Sequence, residues 1–305
     1  MMPHSISGLV AATHTPFHPD GSLHLGVVEK QAVHLLANGV SRVFIGGTTG
    51  ESHSLSLVER LALTERWMDV AKGSDLKVIV HVGSNSLGDA RDLAAHAQEC
   101  GAEATSAVAP SYFKPRDVAS LVAVCAEIAG AAPELPFFYY DIPSFTGLSH
   151  SIPEFLDQAE SRIPNLAGIK FSNPDGMMFQ QCLHHRGGAC SILWGTDECL
   201  LAGLALGAVG AVGSTYNFAA PVFHRLMAFW AANEIGSARA EQKHSVDLVA
   251  LLAKLGYMGA AKAVMGMLGV PVGPARLPHS NPSPVQVANL RAELEAMGFF
   301  DWVRV

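Results

Sequence analysis

Short apolar runs alternate with longer amphipathic stretches along the chain, and the alternation repeats eight times before it stops. The short runs, rich in β-branched and aromatic residues, are Gly8–Phe17, Arg42–Gly47, Lys77–Gly83 and Ala104–Pro110, then Pro136–Pro143, Leu166–Ser172, Ile192–Asp197 and Ala208–Ser214. Runs of that kind bounded by turn residues predict strands. Between them, apolar positions recur at helical spacing over Gly26–Asn38, Ser56–Lys72, Ser86–Cys100, Asp117–Gly130, Ile152–Glu160, Asp175–His185 and Glu198–Leu206. Strands separated by helices must pair in parallel, because each crossover returns the chain to the same edge direction. Eight such units predict a closed α/β structure, the (β/α)8 TIM barrel, with an open doubly wound sheet as the alternative.

From Pro221 onward only helical periodicity remains, over Pro221–Ala232, Ala238–Leu255, Gly259–Leu268 and Pro284–Met297, with a proline-rich extended connection over Val270–Pro284. Leu248, Leu251, Leu252 and Leu255 give this region an apolar face that needs a partner surface. The expected organisation is therefore a barrel over residues 1–220 and a C-terminal helical extension over residues 221–305 packed on it. A length of 305 residues suits one barrel plus such a tail.

Composition narrows the function. Hydrophobic residues make up 49% of the chain and charged residues only 15%, the balance of a large buried core. A formal charge of −7 without any Lys/Arg cluster leaves no footprint for nucleic acid, so an anionic substrate must be held by local donors. The five cysteines, Cys100, Cys125, Cys182, Cys190 and Cys199, are irregularly spaced and form no CxxC, which supports neither a metal site nor a disulfide framework and fits a reducing compartment. The first seven residues lack a basic stretch followed by an apolar one, and no uncharged apolar run approaches the roughly 20 residues of a membrane span. A cytoplasmic enzyme without a membrane partner is expected.

Active sites of such barrels lie at the C-terminal ends of the strands, so polar residues there carry the argument. Lys170 interrupts the apolar strand Leu166–Ser172, and alternation places it on one face with Gly168 and Ser172. If that face points inward, loss of solvent lowers the lysine pKa and frees an amine able to attack a ketone. A lysine snorkelling to solvent or held in an ion pair is the alternative. Tyr140 lies near the end of the preceding strand, sharing a face with Phe138 and Ile142, and could relay protons at a lysine-bound carbon or be a core tyrosine. The loop Gly46–Ser52 offers backbone N–H groups and the hydroxyls of Thr48 and Thr49. It lacks the lysine of a nucleotide-binding loop, so a carboxylate suits it better, and a plain turn remains open. Asp197 and Glu198 follow the seventh strand and Ser214 the eighth. With no Lys or Arg from Ile192 to Phe223, they suit a polyol rather than a phosphate. Asp197 could also cap the helix after it. His14 and His81 are expected to line the pocket at most, and no GxSxG elbow is present.

These pieces, in this order, resemble the N-acetylneuraminate lyase and dihydrodipicolinate synthase family of class I aldolases, from about Gly8 to Pro278. The most specific parts are Gly47-Thr-Thr-Gly-Glu51, Tyr140-x-x-Pro143 and Gly168-Ile-Lys170. Phe138–Pro143, Lys170–Ser172, Asp197-Glu198 and Gly210–Asn217 are similar to the branch that acts on sialic acid. The resemblance implies Lys170 as the imine-forming lysine, Tyr140 as the proton relay, and Thr48 and Thr49 as the cradle of the substrate carboxylate. It further implies Ser172 beside the bond that is cleaved, and Gly195, Asp197, Glu198 and Ser214 along the sugar's hydroxyl tail. Tyr112 falls where relatives carry an aromatic at a subunit interface, and a homotetramer is implied. No cofactor or metal is implied, because the lysine itself supplies the electron sink. The expected chemistry is cleavage of a sialic acid to N-acetylmannosamine and pyruvate, with a related 2-keto sugar-acid aldolase or dehydratase, or a non-catalytic keto-acid-binding homologue, as alternatives. Asp141 stands where relatives usually have Asn or His. Phe145 replaces the Arg by which dihydrodipicolinate synthases grip a dicarboxylate, which argues against that reaction.

Overall fold

The computed structural model describes residues 6–304. The reading of the first residues as no signal sequence lies, for Met1–Ser5, outside the described residues. Eight strands close into a barrel in sequence order: β1 Gly8–Ala12, β2 Arg42–Ile45, β3 Lys77–His81, β4 Ala104–Val108, β5 Phe137–Asp141, β6 Leu166–Phe171, β7 Ser191–Trp194 and β8 Gly210–Gly213. Every pairing is parallel, and β8 returns to β1 through Gly8–Gly210 to Ala11–Gly213. The closed barrel, not the open sheet, is therefore the architecture. Each strand is shorter than its apolar run. The surplus residues at the C-terminal ends leave the ladder and form the loops over the barrel mouth.

Among the described residues, nine helices accompany the barrel: α1 Val28–Ala37, α2 Leu57–Ala71, α3 Leu87–Glu99, α4 Val118–Gly130, α5 Pro143–Thr146, α6 Ile152–Ala159, α7 Gly176–His184, α8 Leu200–Leu206 and α9 Tyr216–Ala231. Several start at side-chain caps, as the spacing of polar residues ahead of them requires. Ser56 and Glu59 form a reciprocal capping box on α2, and Asp117 accepts from the Ser120 N–H at the start of α4. Alternation along the strands divides the apolar side chains into two cores. Val43, Ile45, Tyr139 and Ile169 face outward against the helices, whereas Val10, Phe44, Phe138, Tyr140, Leu193 and Val212 fill the barrel interior.

The eighth barrel helix comes in two pieces. A short helical turn begins at Tyr216, the backbone leaves helical geometry at Ala219 (φ −136°, ψ 20°), and Pro221 stands in the first turn of the continuous helix that follows, as its sequence position predicts. A proline within a helix cannot donate to the carbonyl four residues back, here that of Asn217. His34 on α1 lies 3.0 Å from that carbonyl oxygen through its Nε2 and supplies the missing partner. Beyond α9 come α10 Ile235–Ala253, α11 Tyr257–Met267, α12 Pro284–Met297 and the short α13 Phe299–Trp302. Leu248, Leu251 and Leu252 of α10 are buried, as their periodicity demands.

A buried ionic cluster fastens this extension to the barrel. Lys262 of α11 donates to Glu51 at 2.6 Å and to the Pro274 carbonyl at 2.8 Å. The backbone N–H of Arg276 donates to the other Glu51 oxygen, and the Arg276 guanidinium pairs with Glu59. Glu51 takes the left-handed conformation at φ 57°, an unusual one for a side chain with a Cβ, and these bonds fix it there. Among the described residues, no single helix is long and apolar enough to cross a membrane.

Candidate active site

Lys170 points into the barrel near its C-terminal mouth. Its register partner on β5 is Tyr140. The ammonium nitrogen lies 3.9 Å from the ring centroid of Tyr140 and 3.9 Å from that of Phe44, so two aromatic faces replace its water. The residue is only 4% exposed. Burial brings its pKa down to about 7, the negative charge of Asp197 acting weakly the other way. Near neutral pH a part of the amine is therefore unprotonated and nucleophilic.

Tyr140 presents its phenol to a small network of hydroxyls. Its Oη lies 3.4 Å from Thr48 Oγ1, which the loop after β2 brings over the barrel. Burial raises the phenol above its ordinary range, while hydrogen bonds with Thr48 and Ser172 pull it back. Ser172, one residue beyond β6, donates to the Gly195 carbonyl at 3.1 Å. Gly195 must be glycine here, because a Cβ would collide with the Ser172 hydroxyl and with the strand backbone behind it. The phenol, the amine and the hydroxyls thus converge on one point, with one group able to attack and another able to carry a proton.

Asp197 is buried, and its role differs from a cap on its own helix. Oδ2 accepts from both the N–H and the hydroxyl of Thr215, each at 2.7 Å, so it stabilises the turn after β8 and the start of α9. The turn into α8 starts at Thr196 without a side-chain cap. The Asp197 carboxylate packs against Gly213, where a Cβ would strike it. Burial raises the Asp197 pKa to about 6, against the Thr215 hydrogen bonds that lower it. Two results follow. Asp197→Ala strands a buried N–H and is expected to destabilise the fold by about 1–3 kcal/mol in chemical denaturation. Asp197→Asn keeps an acceptor but removes the charge that favours protonated Lys170. The pH midpoint of amine reactivity then moves below about 7, and an unchanged midpoint would show that the two groups do not communicate.

A cavity of about 960 Å³ opens above Lys170. Thr48, Thr49, Tyr140, Lys170, Ser172, Gly195, Asp197, Glu198 and Ser214 all line it, as does Phe145. Tyr112 does not. It stands on the surface, 78% exposed, edge-to-face with the 85% exposed Phe113. His14 and His81 also lie outside the lining. His14 is fully enclosed and stacked on Phe218, and burial holds it neutral, at about 3. His81 is held under the barrel rim by the Gly46 carbonyl and the guanidinium of Arg60. Asp141 faces outward on β5, opposite to Tyr140, where Asn173 donates to it at 2.9 Å and burial raises its pKa to about 6.

The cavity wall also contains residues that strand-end reasoning does not reach. Gly256, Tyr257, Met258, Pro278, His279 and Ser280 of the C-terminal extension close one side. Tyr257 Oη lies 2.7 Å from Ser214 Oγ. A tyrosine between two predicted helices carries no local signal of that contact, since the partners are 43 residues apart.

A lysine kept dry at the mouth of a parallel barrel, with a phenol in its ladder partner position, is an arrangement able to form an imine with a ketone, the chemistry of class I aldolases. The chain belongs to the dihydrodipicolinate synthetase family, whose model matches residues 5–297. Among its relatives it is 39% identical to N-acetylneuraminate lyase of Gallus gallus over 296 residues, 96% of each chain. The solved N-acetylneuraminate lyase of Proteus mirabilis superimposes with a TM-score of 0.94 at 39% identity, covering 97% of this chain and 99% of that one. A DHDPS from Cyanidioschyzon merolae is also similar, with a TM-score of 0.87 at 29% identity over 96% of this chain and 98% of that one.

Proposed function

We propose that this protein is a Schiff-base-forming lyase that cleaves N-acetylneuraminate to N-acetylmannosamine and pyruvate. The single observation that carries the reading is the Lys170 amine, buried between Phe44 and Tyr140 with its pKa near neutrality. Its free form attacks the ketone carbon of the open-chain substrate, and loss of water leaves a protonated imine. A proton then leaves the hydroxyl two carbons away, the intervening carbon–carbon bond breaks, and its electron pair flows into the imine. N-acetylmannosamine departs. The remaining enamine takes a proton on carbon, and water releases pyruvate and restores the amine.

Tyr140 moves the protons in this sequence, with Thr48 and Ser172 in hydrogen-bonding contact to pass them on. The hydroxyls of Thr48 and Thr49 hold the substrate carboxylate at the barrel mouth. Gly195, Asp197, Glu198 and Ser214 line the same cavity further out and receive the hydroxyl tail. No Lys or Arg lies between Ile192 and Phe223 in the sequence, which favours a neutral polyol. Phe145 on the cavity wall offers no partner to a second carboxylate, which favours the sugar-acid over the dicarboxylate product of a synthase. The exposed Tyr112 and Phe113 support a self-associating surface, and a homotetramer in the cytoplasm completes the reading.

Reduction with borohydride in the presence of pyruvate tests the chemistry directly. The expected product is a chain carrying one reduced pyruvate adduct on Lys170, located by peptide mass spectrometry. An unmodified chain, or an adduct on another lysine, rejects the assignment. A panel of 2-keto sugar acids scored by pyruvate release then ranks N-acetylneuraminate against shorter substrates.

A further inference from the structure

We infer that Tyr257, contributed by the C-terminal extension, is a specificity-determining residue that holds the Ser214 hydroxyl towards the far end of the substrate's polyol tail. The inference rests on the lyase reading above and deepens it.

Three observations carry it. Tyr257 lines the same cavity as Lys170, on the wall that also carries Glu198 and Ser214. Its phenol oxygen lies 2.7 Å from Ser214 Oγ, the length of a well-formed O–H···O bond, and the residue is half-buried at the cavity wall. The residue before it, Gly256, begins α11 in the left-handed conformation at φ 72°. This turn swings the first residue of α11 towards the barrel mouth.

Hydrogen-bond inventory gives the arrangement its direction. A phenol is the better donor of the two hydroxyls, and burial, aided by the negative charges of Asp197 and Glu198, keeps its proton in place. Tyr257 therefore donates to Ser214, whose own O–H is left to point into the cavity. A serine alone rotates freely and donates wherever water allows. With its acceptor side occupied, it offers a fixed donor to a ligand hydroxyl. Ligands long enough to reach Ser214 gain from that fixed donor, and ligands that end short of it do not. Discrimination by chain length is the function this places on Tyr257.

The test compares two substrates on four proteins: the parent, Tyr257→Phe, Ser214→Ala and the double variant. The substrates are N-acetylneuraminate and a 2-keto-3-deoxy sugar acid with a shorter hydroxyl chain, and the readout is steady-state pyruvate release. Tyr257→Phe is expected to lower kcat/KM for the long substrate about tenfold, mostly through KM, while the short substrate changes by less than about threefold. In the Ser214→Ala background the same change is expected to add little, because the phenol then has no hydroxyl to orient. Equal losses on both substrates, or losses that add fully in the double variant, overturn the inference. Borohydride trapping of pyruvate on each protein separates the two levels of argument. Failure to label Lys170 in the parent rejects the lyase reading, whereas normal labelling with unchanged discrimination rejects only the role of Tyr257.

Discussion

Lys170→Met yields a protein that releases no measurable pyruvate and yet unfolds less readily than the parent at pH 7. The loss of turnover is expected to exceed about 10⁴-fold, because no other group in the cavity can form the imine. The gain in stability comes from the same burial that makes the amine reactive. The folded pKa of about 7 stands below the unfolded value of 10.5. Between those values the unfolded chain binds a proton that the folded chain does not, so stability rises with pH across that window. Below pH 7 both forms are protonated and the penalty is constant; above pH 10.5 both are neutral and it vanishes. At pH 7 a neutral methionine should therefore add between roughly 1 and 4 kcal/mol, less the lost attraction of the two rings, and the gain should fade as pH approaches 10.5. Urea unfolding of both proteins at pH 7, 9 and 10.5 measures this directly. Parallel stabilities across that range would mean that the amine is solvated in the folded protein. The same pKa sets the acid limb of activity, which should fall about tenfold per unit of pH below 7.

The second large effect belongs to Tyr140→Phe. Phenylalanine keeps the ring 3.9 Å from the Lys170 nitrogen, so the amine stays as dry as before and still traps pyruvate on reduction. What disappears is the hydroxyl near Thr48 and Ser172. A positioned proton carrier contributes on the order of 10²–10⁴-fold, and kcat should fall by that amount with KM moving much less. A loss of threefold or less would transfer the proton-relay role to another group, with Thr48 and Ser172 the next to replace.

Much of this was legible along the chain before any coordinates. Strand alternation placed Lys170 and Tyr140 on definite faces, and closing the barrel turned both inward, because only one face of each strand can fill the interior. The inward placement of both residues was thus a matter of periodicity. Contacts between distant segments were less accessible. Asp197 read locally as a polyol-facing carboxylate that could also cap its own helix, whereas its carboxylate serves Thr215, whose N–H and hydroxyl meet it only after β7 and β8 lie side by side. Pro221 read as a helix start, the usual place for proline, and the break at Ala219 puts it there; the extra helical turn from Tyr216 ahead of it gave no such signal. Tyr257 and its neighbours gave no sign of facing the cavity, since a helical tail can pack on a barrel in many places.

The cluster of Glu51, Lys262 and Arg276 has a consequence for recombining this enzyme with its relatives. The segment bearing Thr48 and Thr49 owes its shape to a cation supplied more than two hundred positions later. A chimera that takes its last third from another parent inherits one half of that lock without the other. Such hybrids should keep full function only when the exchange carries both the glycine-rich turn and the tail that clasps it, making the two ends of the polypeptide a single inherited unit.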